Sequence, residues 1–253
     1  MLKKRFTSLF LVLSMVLGLS APALAVDSTT DEWLVKYNET GSVYLESSVT
    51  GERIVKAVRF DDNGIPYDVD LVAYVQELNS AQITNTQNDV FAPTPIISPY
   101  ANVTSERYVE SRAYYTVGTK EPVTAIVSGD PNGAELTYGE SITISDGYAV
   151  MGGGSLTFTP SVKTNIQAGA SFTWTTSAAS SSSFSVTYPI NPGEKGYVAF
   201  QPRLHATTGI YIRESINTET GVATTINFAT ITAYSPVLLK TGFAAGTYSL
   251  VLV

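Results

Sequence analysis

The chain has 253 residues, a net charge of −7 and 44% hydrophobic residues, with 19 glycines and 12 prolines. That acidity excludes a general affinity for nucleic acid or anionic lipid, because like charges repel. There is no cysteine and one histidine, His205. Disulfide staples, Cys–His zinc sites and a His-Glu-x-x-His helix are therefore excluded, and the core itself must supply the stability.

At the start of the chain, Lys3, Lys4 and Arg5 precede an apolar run from Phe6 to about Leu19, and Ala23-Leu24-Ala25 offers small residues at −3 and −1 of a cleavage site. Residues 1–25 read as a Sec-type signal peptide cut between Ala25 and Val26, which predicts a secreted, extracellular protein. The apolar run is short for a membrane helix, which takes about 20 residues. No cysteine follows the cut to carry a lipid, and Thr247 to Val253 does not read as a sorting tail. Losing the three leader cations takes the net charge from −7 to −10.

Residues 26–81 read as a small α+β module. Val43-Tyr44-Leu45 and Ile54 to Val58 flank Thr50-Gly51 as a hairpin. Asp61-Asp62-Asn63-Gly64 makes a tight turn, with Asn-Gly suited to positive φ. Asp61, Asp62 and Asn63 are also the chain's candidate cation ligands, although the EF-hand order is absent. From Asp68 to Asn79 the apolar residues Val69, Val72, Ala73, Tyr74 and Leu78 fall near helical spacing and predict a short helix, with a buried strand over Leu71 to Val75 as the competing reading. Residues 82–102, with Pro93, Pro95 and Pro99, read as a linker.

Residues 103–253 read as an antiparallel β domain. Strands are predicted at Tyr108 to Val117, Val123 to Val127, Glu135 to Tyr138, Ser141 to Ile144, Gly147 to Met151, Tyr197 to His205, Ile210 to Ile216, Val222 to Tyr234 and Thr247 to Val253. Asp130-Pro131-Asn132-Gly133 is a turn, and Asn217 to Gly221 joins a hairpin. The fold class is thus mainly β: an elongated antiparallel sheet or sandwich with a small N-terminal α+β module. The glycine run Met151 to Ser155 lacks the Lys of a phosphate loop and reads as a flexible link.

One segment is unusual. From Ser155 to Tyr188, 16 of 34 residues are Ser or Thr and Lys163 is the only charge. Ala168, Ala170, Phe172 and Trp174 alternate with small or hydroxyl residues, and so do Phe184, Val186, Tyr188 and Ile190. Paired antiparallel about Ala179, these arms make a hairpin over about 166–190 with one apolar and one hydroxyl face. Such a hairpin either packs its apolar face on the core or, with strands of about 9–11 residues, inserts into a membrane. Ala170, Phe172, Trp174, Phe184, Val186 and Tyr188 would be its apolar face.

Gly169-Ala170-Ser171-Phe172-Thr173-Trp174, the run Ser180 to Ser183, and Tyr188-Pro189-Ile190-Asn191-Pro192-Gly193-Glu194-Lys195-Gly196-Tyr197 form a pattern similar to one in secreted β-proteins of Gram-positive bacteria. More loosely, it resembles the Ser/Thr-rich middle domain of aerolysin-type pore-forming toxins. The likeness spans roughly Tyr138 to Gly209. It implies a fold neighbourhood more than an activity, and the sequence departs from the toxins in having no separate receptor-binding lobe and no activation site.

No catalytic set emerges. His205 lacks a Gly-x-Ser-x-Gly elbow elsewhere in the chain, and Glu140, Asp146, Glu194 and Glu214 are scattered carboxylates with no spacing signal. The expectation is a secreted non-enzymatic β-protein that needs no cofactor and binds a surface, glycan or protein partner. The alternative is a β-pore former, the only reading with a membrane partner; the third is an extracellular hydrolase. Fifteen tyrosines and two tryptophans, with Tyr114-Tyr115 facing opposite sides of one strand, are the raw material for a binding surface.

Overall fold

A computed structural model describes residues 31–81, 102–137, 141–180, 187–218 and 220–253. The chain is mainly β, as its composition demands, and the strands form one large antiparallel sheet with two small two-stranded ribbons.

The sheet is organised by one strand. In chain order the strands are β1 (Trp33–Tyr37), β2 (Val43–Ser47), β3 (Arg53–Phe60), β4 (Pro66–Asp68), β5 (Asn102–Val117), β6 (Glu121–Pro122), β7 (Val127–Ser128), β8 (Ala134–Thr137), β9 (Thr143–Ser145), β10 (Gly147–Gly153), β11 (Ser177–Ala179), β12 (Thr187–Ile190), β13 (Lys195–Asn217), β14 (Ala223–Pro236) and β15 (Gly246–Leu252). The predicted strands Tyr197 to His205 and Ile210 to Ile216 are one continuous 23-residue strand, β13. At about 3.3 Å per residue it reaches up to about 75 Å. Its first half pairs with β15 through Gly196↔Leu252 to Pro202↔Gly246, and its second half pairs with β14 from Leu204↔Pro236 onward. On its other edge β7 and β6 give way to β5, which pairs from Arg203↔Val117 to Asn217↔Asn102. Of the run predicted as a strand over Val123 to Val127, residues 123–126 instead connect the short β6 and β7, and Val127 opens β7.

The burial pattern of β13 records this division. From Gly196 to Pro202 every residue is buried, because both faces are covered; beyond Arg203, residues facing the core alternate with partly exposed ones. On one face of the first half lies helix α1 (Leu71–Ala81), whose Leu71, Tyr74 and Leu78 pack on Trp33, Ile54, Ala199 and Val251. On the opposite face the β8–β12 and β9–β11 ribbons bring Leu136, Tyr188, Ile190 and Ala178 against Phe60, Val198, Phe200 and Leu250. The helix predicted at Asp68 to Asn79 is therefore present, with bounds shifted toward Ala81. Residues 31–81 are not set apart from the sheet: β3 pairs with β15 from Arg59↔Thr247 to Arg53↔Leu252, and residues 31–253 form one compact unit. Most of the segment 82–102 lies outside the described residues.

On the second half of the sheet, a second helix covers one face. Helix α2 (Pro160–Gly169) lies within the Ser/Thr-rich stretch and takes in Ala168, the start of the predicted hairpin's first arm. Thr159 caps it by accepting from Val162 N, Pro160 sits in its first turn where a missing N–H costs nothing, and Val162 and Ile166 fall one turn apart. Those two side chains are fully buried against Tyr108, Tyr211, Ala229 and Ile231. The Met151 to Gly153 run belongs to β10 and pairs with β14, where a Cβ on Gly153 would lie 2.8 Å from the Phe228 carbonyl oxygen. Gly153 thus serves close approach, at a positive φ of 90°, whereas a Cβ on Gly152 would meet open space.

A cleft at the strand junction

The sheet changes partners at Pro202. Proline has no N–H for a ladder, so it fits where β15 ends and β14 has not yet begun. The next residue, Arg203, bridges the gap: its N–H donates to Ala245 O at 2.8 Å and its carbonyl accepts from Val237 N at 3.0 Å. Across the other edge, Gly118 N donates to Pro202 O at 2.8 Å, after which the chain leaves β5 for Lys120. Two adjoining clefts open here, and both are lined by Val117.

The larger cleft, of about 450 Å³, is lined among others by Asp31, Trp33, Glu52, Lys120, Gln201 and Tyr234. Lys120 Nζ stands 4.2 Å from the centre of the Trp33 ring and 3.4 Å from Glu52 Oε2. The other Glu52 oxygen accepts from the Tyr197 hydroxyl at 2.7 Å. Burial pulls the Lys120 pKa below its ordinary value, and Glu52 and Asp31 oppose the shift. Trp33 is fixed by reciprocal bonds with Asn79 of α1, and Gln201 accepts from the buried Tyr74 hydroxyl at 2.7 Å while donating to Gly118 O at 3.1 Å. The wall of this cleft is thus held by α1 from behind.

The smaller cleft, of about 280 Å³, is lined by Arg59, Glu77, Ser80, Tyr115, Val117 and Arg203, together with Thr116. Arg59 forms a two-pronged pair with Glu77 and gives its Nε–H to Thr247 at 2.7 Å. The Arg203 guanidinium lies 4.3 Å from the centre of the Tyr115 ring. Tyr115, more than half exposed, meets the His205 ring edge-on at 4.3 Å, and His205 meets Phe172 at 4.5 Å. Stacking continues from Phe172 to Trp174 and on to Tyr148 at 5.7 Å each, making an aromatic row across the sheet. Burial first, and Arg203 beside it, lower the His205 pKa, so its ring is neutral at pH 7.

Among its described residues the candidate hairpin is not paired on itself: Thr187–Ile190 pairs with β8 instead. Ala168 and Gly169 close α2, Ala170 is its C-cap, and Ser171 to Thr176 cross the sheet as an irregular strap. Side chains tie the strap down. Ser171 N donates to Glu110 at 3.2 Å, Trp174 Nε1 to Asp146 at 3.0 Å, and Thr175 exchanges bonds with the Ser235 hydroxyl. Phe172 and Trp174 are half-buried, whereas Tyr188 is fully buried in β12 opposite Leu136 of β8. Phe184 and Val186 lie outside the described residues, as do Ala25 and Val26. The first arm reads as a strand in sequence because its apolar residues alternate. The helix signal, Thr159-Pro160 followed by Val162 and Ile166, sits immediately before it.

The Asp61 carboxylate accepts from the main-chain N–H of Ile65 at 2.8 Å and of Asn63 at 2.9 Å, which also holds its pKa below the ordinary value. Asp62 faces Lys240 at 3.1 Å. Among the described residues no group of three or more His, Cys, Asp or Glu is arranged to hold a metal, and no helix is long and apolar enough to cross a membrane. The sequence search missed the junction residues Glu52, Lys120, Gln201 and Arg203. Only the Tyr114-Tyr115 pair pointed there.

No protein-family model matches the sequence, and no curated protein matches it. Among solved structures, the chain is similar to one from Bacteroides vulgatus described as a "putative pore-forming toxin", at 10% sequence identity and a TM-score of 0.20. The match covers 87% of this chain and 74% of that chain. A likeness this slight assigns neither a fold nor an activity.

Proposed function

We propose that this is an exported, non-enzymatic binding protein whose junction clefts receive a glycan. The observation that carries the reading is the cleft of about 450 Å³ at which Glu52, Lys120 and Gln201 converge beside Tyr234. Its volume lies in the range of small-ligand sites, of roughly 300–1,000 Å³, and a concave wall with a few convergent polar groups suits a hydroxyl-rich ligand better than a flat protein face. The groups are held in place before any ligand arrives, through the Trp33–Asn79 and Tyr74–Gln201 bonds, and rigid walls spare the ordering cost of binding. Binding of the purified protein to an array of bacterial and plant oligosaccharides, repeated with Gln201→Leu, tests it. Retention of one glycan class that Gln201→Leu loses supports the reading; equal retention by both proteins sinks it.

A second reading, membrane insertion by residues 166–190, is supported by the strap's attachment through the side chains of Glu110, Asp146 and Ser235. Detaching Ser171 to Thr176 leaves every strand ladder intact, whereas moving all of 166–190 also breaks the β9–β11 and β8–β12 pairings. Dye release from liposomes, abolished by Phe172→Asp, would favour it; intact liposomes under neutral, acidic and proteolysed conditions would remove it.

A further inference from the structure

We infer that the smaller of the two junction clefts is a subsite for the carboxylate of an acidic sugar, with Arg203 as the group that receives it. The inference rests on the glycan reading above and names the ligand class that the same site takes.

Three features of Arg203 support this. Among the described residues it makes no ion pair, a property it shares with Lys36, Arg53, Arg112, Lys163 and Lys195, but it is the one of these that lines the smaller junction cleft. In a chain with net charge −7, an exposed guanidinium left without a carboxylate is available to a ligand's. Secondly, it is pre-oriented. Its backbone N–H and carbonyl are both held, by Ala245 and Val237, its guanidinium rests on Tyr115, and Tyr115 is backed by His205 and then Phe172. A planar guanidinium held against a ring presents its N–H edge in the fork geometry that matches a carboxylate. Thirdly, the surroundings favour an anion. Arg59 and Glu77 neutralise each other in a two-pronged pair, His205 is neutral, and the cleft is left with one positive charge from Arg203.

The neighbouring cleft has the opposite character, and that separates an acidic sugar from an acidic peptide. Asp31 and Glu52 outnumber Lys120 in its lining, which disfavours a run of carboxylates, while Gln201 and Ser145 offer hydrogen bonds to hydroxyls. A ligand lying across Val117 therefore carries one anionic group at the Arg203 end and neutral, hydroxyl-rich chemistry beyond it. A uronic acid within an oligosaccharide meets both demands.

The test uses a pair of ligands that differ at one carboxyl group: a trisaccharide with a single terminal uronic acid on two neutral sugars and its methyl ester, titrated calorimetrically into the purified protein, with a neutral trisaccharide carrying a single sulfate as a third ligand. The acid is expected to bind about ten- to a hundred-fold more tightly than the ester, the range of a charge-assisted hydrogen bond. Arg203→Ala should bring the acid down to the ester's affinity, and Arg203→Lys should keep part of the difference. Arg112→Ala, on the opposite face of β5 beside Tyr114, should leave the difference unchanged, which controls for general loss of positive charge. Equal affinity for acid and ester, or loss of the difference in Arg112→Ala with retention in Arg203→Ala, overturns the assignment. Tighter binding of the sulfated sugar than of the acid overturns the carboxylate and assigns the guanidinium to sulfate. Acid binding that stays as tight in Arg203→Ala as in wild type leaves the glycan reading standing and removes this subsite. Absence of binding by all three ligands removes the subsite, and neutral oligosaccharides then decide the broader reading.

Discussion

Tyr108 and Gly209 are in contact so close that no other residue fits in the glycine's place. A Cβ on Gly209 would stand 2.3 Å from Val109 O and 2.7 Å from Tyr108 Cζ. The Tyr108 hydroxyl bonds Thr207 at 2.8 Å, and its ring also lies against Gly169 at the end of α2. This one side chain thus locks α2 onto β5 and β13. Gly209→Ala is expected to destabilise the protein by about 3 kcal/mol, the upper range for overpacking, read as a lower urea midpoint. A midpoint unchanged within error would contradict the packing described.

Asp146 holds the strap. One oxygen accepts from Tyr148 OH at 2.8 Å and from Trp174 Nε1 at 3.0 Å. Asp146→Ala leaves two half-buried donors unsatisfied and should cost about 2–3 kcal/mol. Hydrogen exchange should rise at Ser171 to Thr176 before it rises in β13. Uniform acceleration across the sheet would mean that the strap is not a separate unit.

Acid should loosen the same face. The Tyr211 hydroxyl, opposed by burial and aided by Arg213, holds Glu106 below its ordinary pKa; at Glu110 burial pushes upward, but bonds from Ser171 and Thr207 prevail and lower it. A carboxylate depressed in the folded state stabilises above its unfolded pKa, about 4.3 for Glu, and that stability is lost as pH falls through the folded value. Melting temperature should therefore be level near neutrality and fall below about pH 4.5, the unshifted value of both groups. Glu106→Gln with Glu110→Gln should melt lower at pH 7 and show a shallower acid slope. An acid slope as steep as wild type would assign the loss to other carboxylates.

Tyr74 joins helix α1 to the junction through Gln201. Burial raises its pKa far above the usual tyrosine value, so the hydroxyl stays a donor over the working range. Tyr74→Phe removes the bond and leaves Gln201 Oε1 without that donor, a loss of about 1–2 kcal/mol. It should also weaken glycan binding without abolishing it. Unchanged stability would show that Gln201 needs no support from α1.

Much of the β framework is readable in the sequence, because strand period and turn chemistry are local. Thr50-Gly51 and Asn217 to Gly221 join hairpins, and Leu71 to Ala81 is helical. The continuity of β13 is not local. His205 to Gly209 looks like a break until the register shows β5 and β14 pairing along both edges. Helix α2 hides among Ser and Thr residues because propensity there is weak and burial of Val162 and Ile166 decides the outcome. The junction is the least legible part. Glu52, Lys120 and Arg203 stand far apart in sequence and come to line two adjoining clefts only where the sheet changes partners at Pro202.

The most direct measurement of the central claim is backbone amide shift mapping of the labelled protein during titration with the best-retained oligosaccharide. Perturbed signals are expected at Trp33, Glu52, Val117 to Lys120, Gln201, Arg203 and Leu204, moving together with one dissociation constant. Perturbations confined to the ribbon face around Leu136 and Tyr188, or scattered without saturation, would contradict a ligand site at the strand junction.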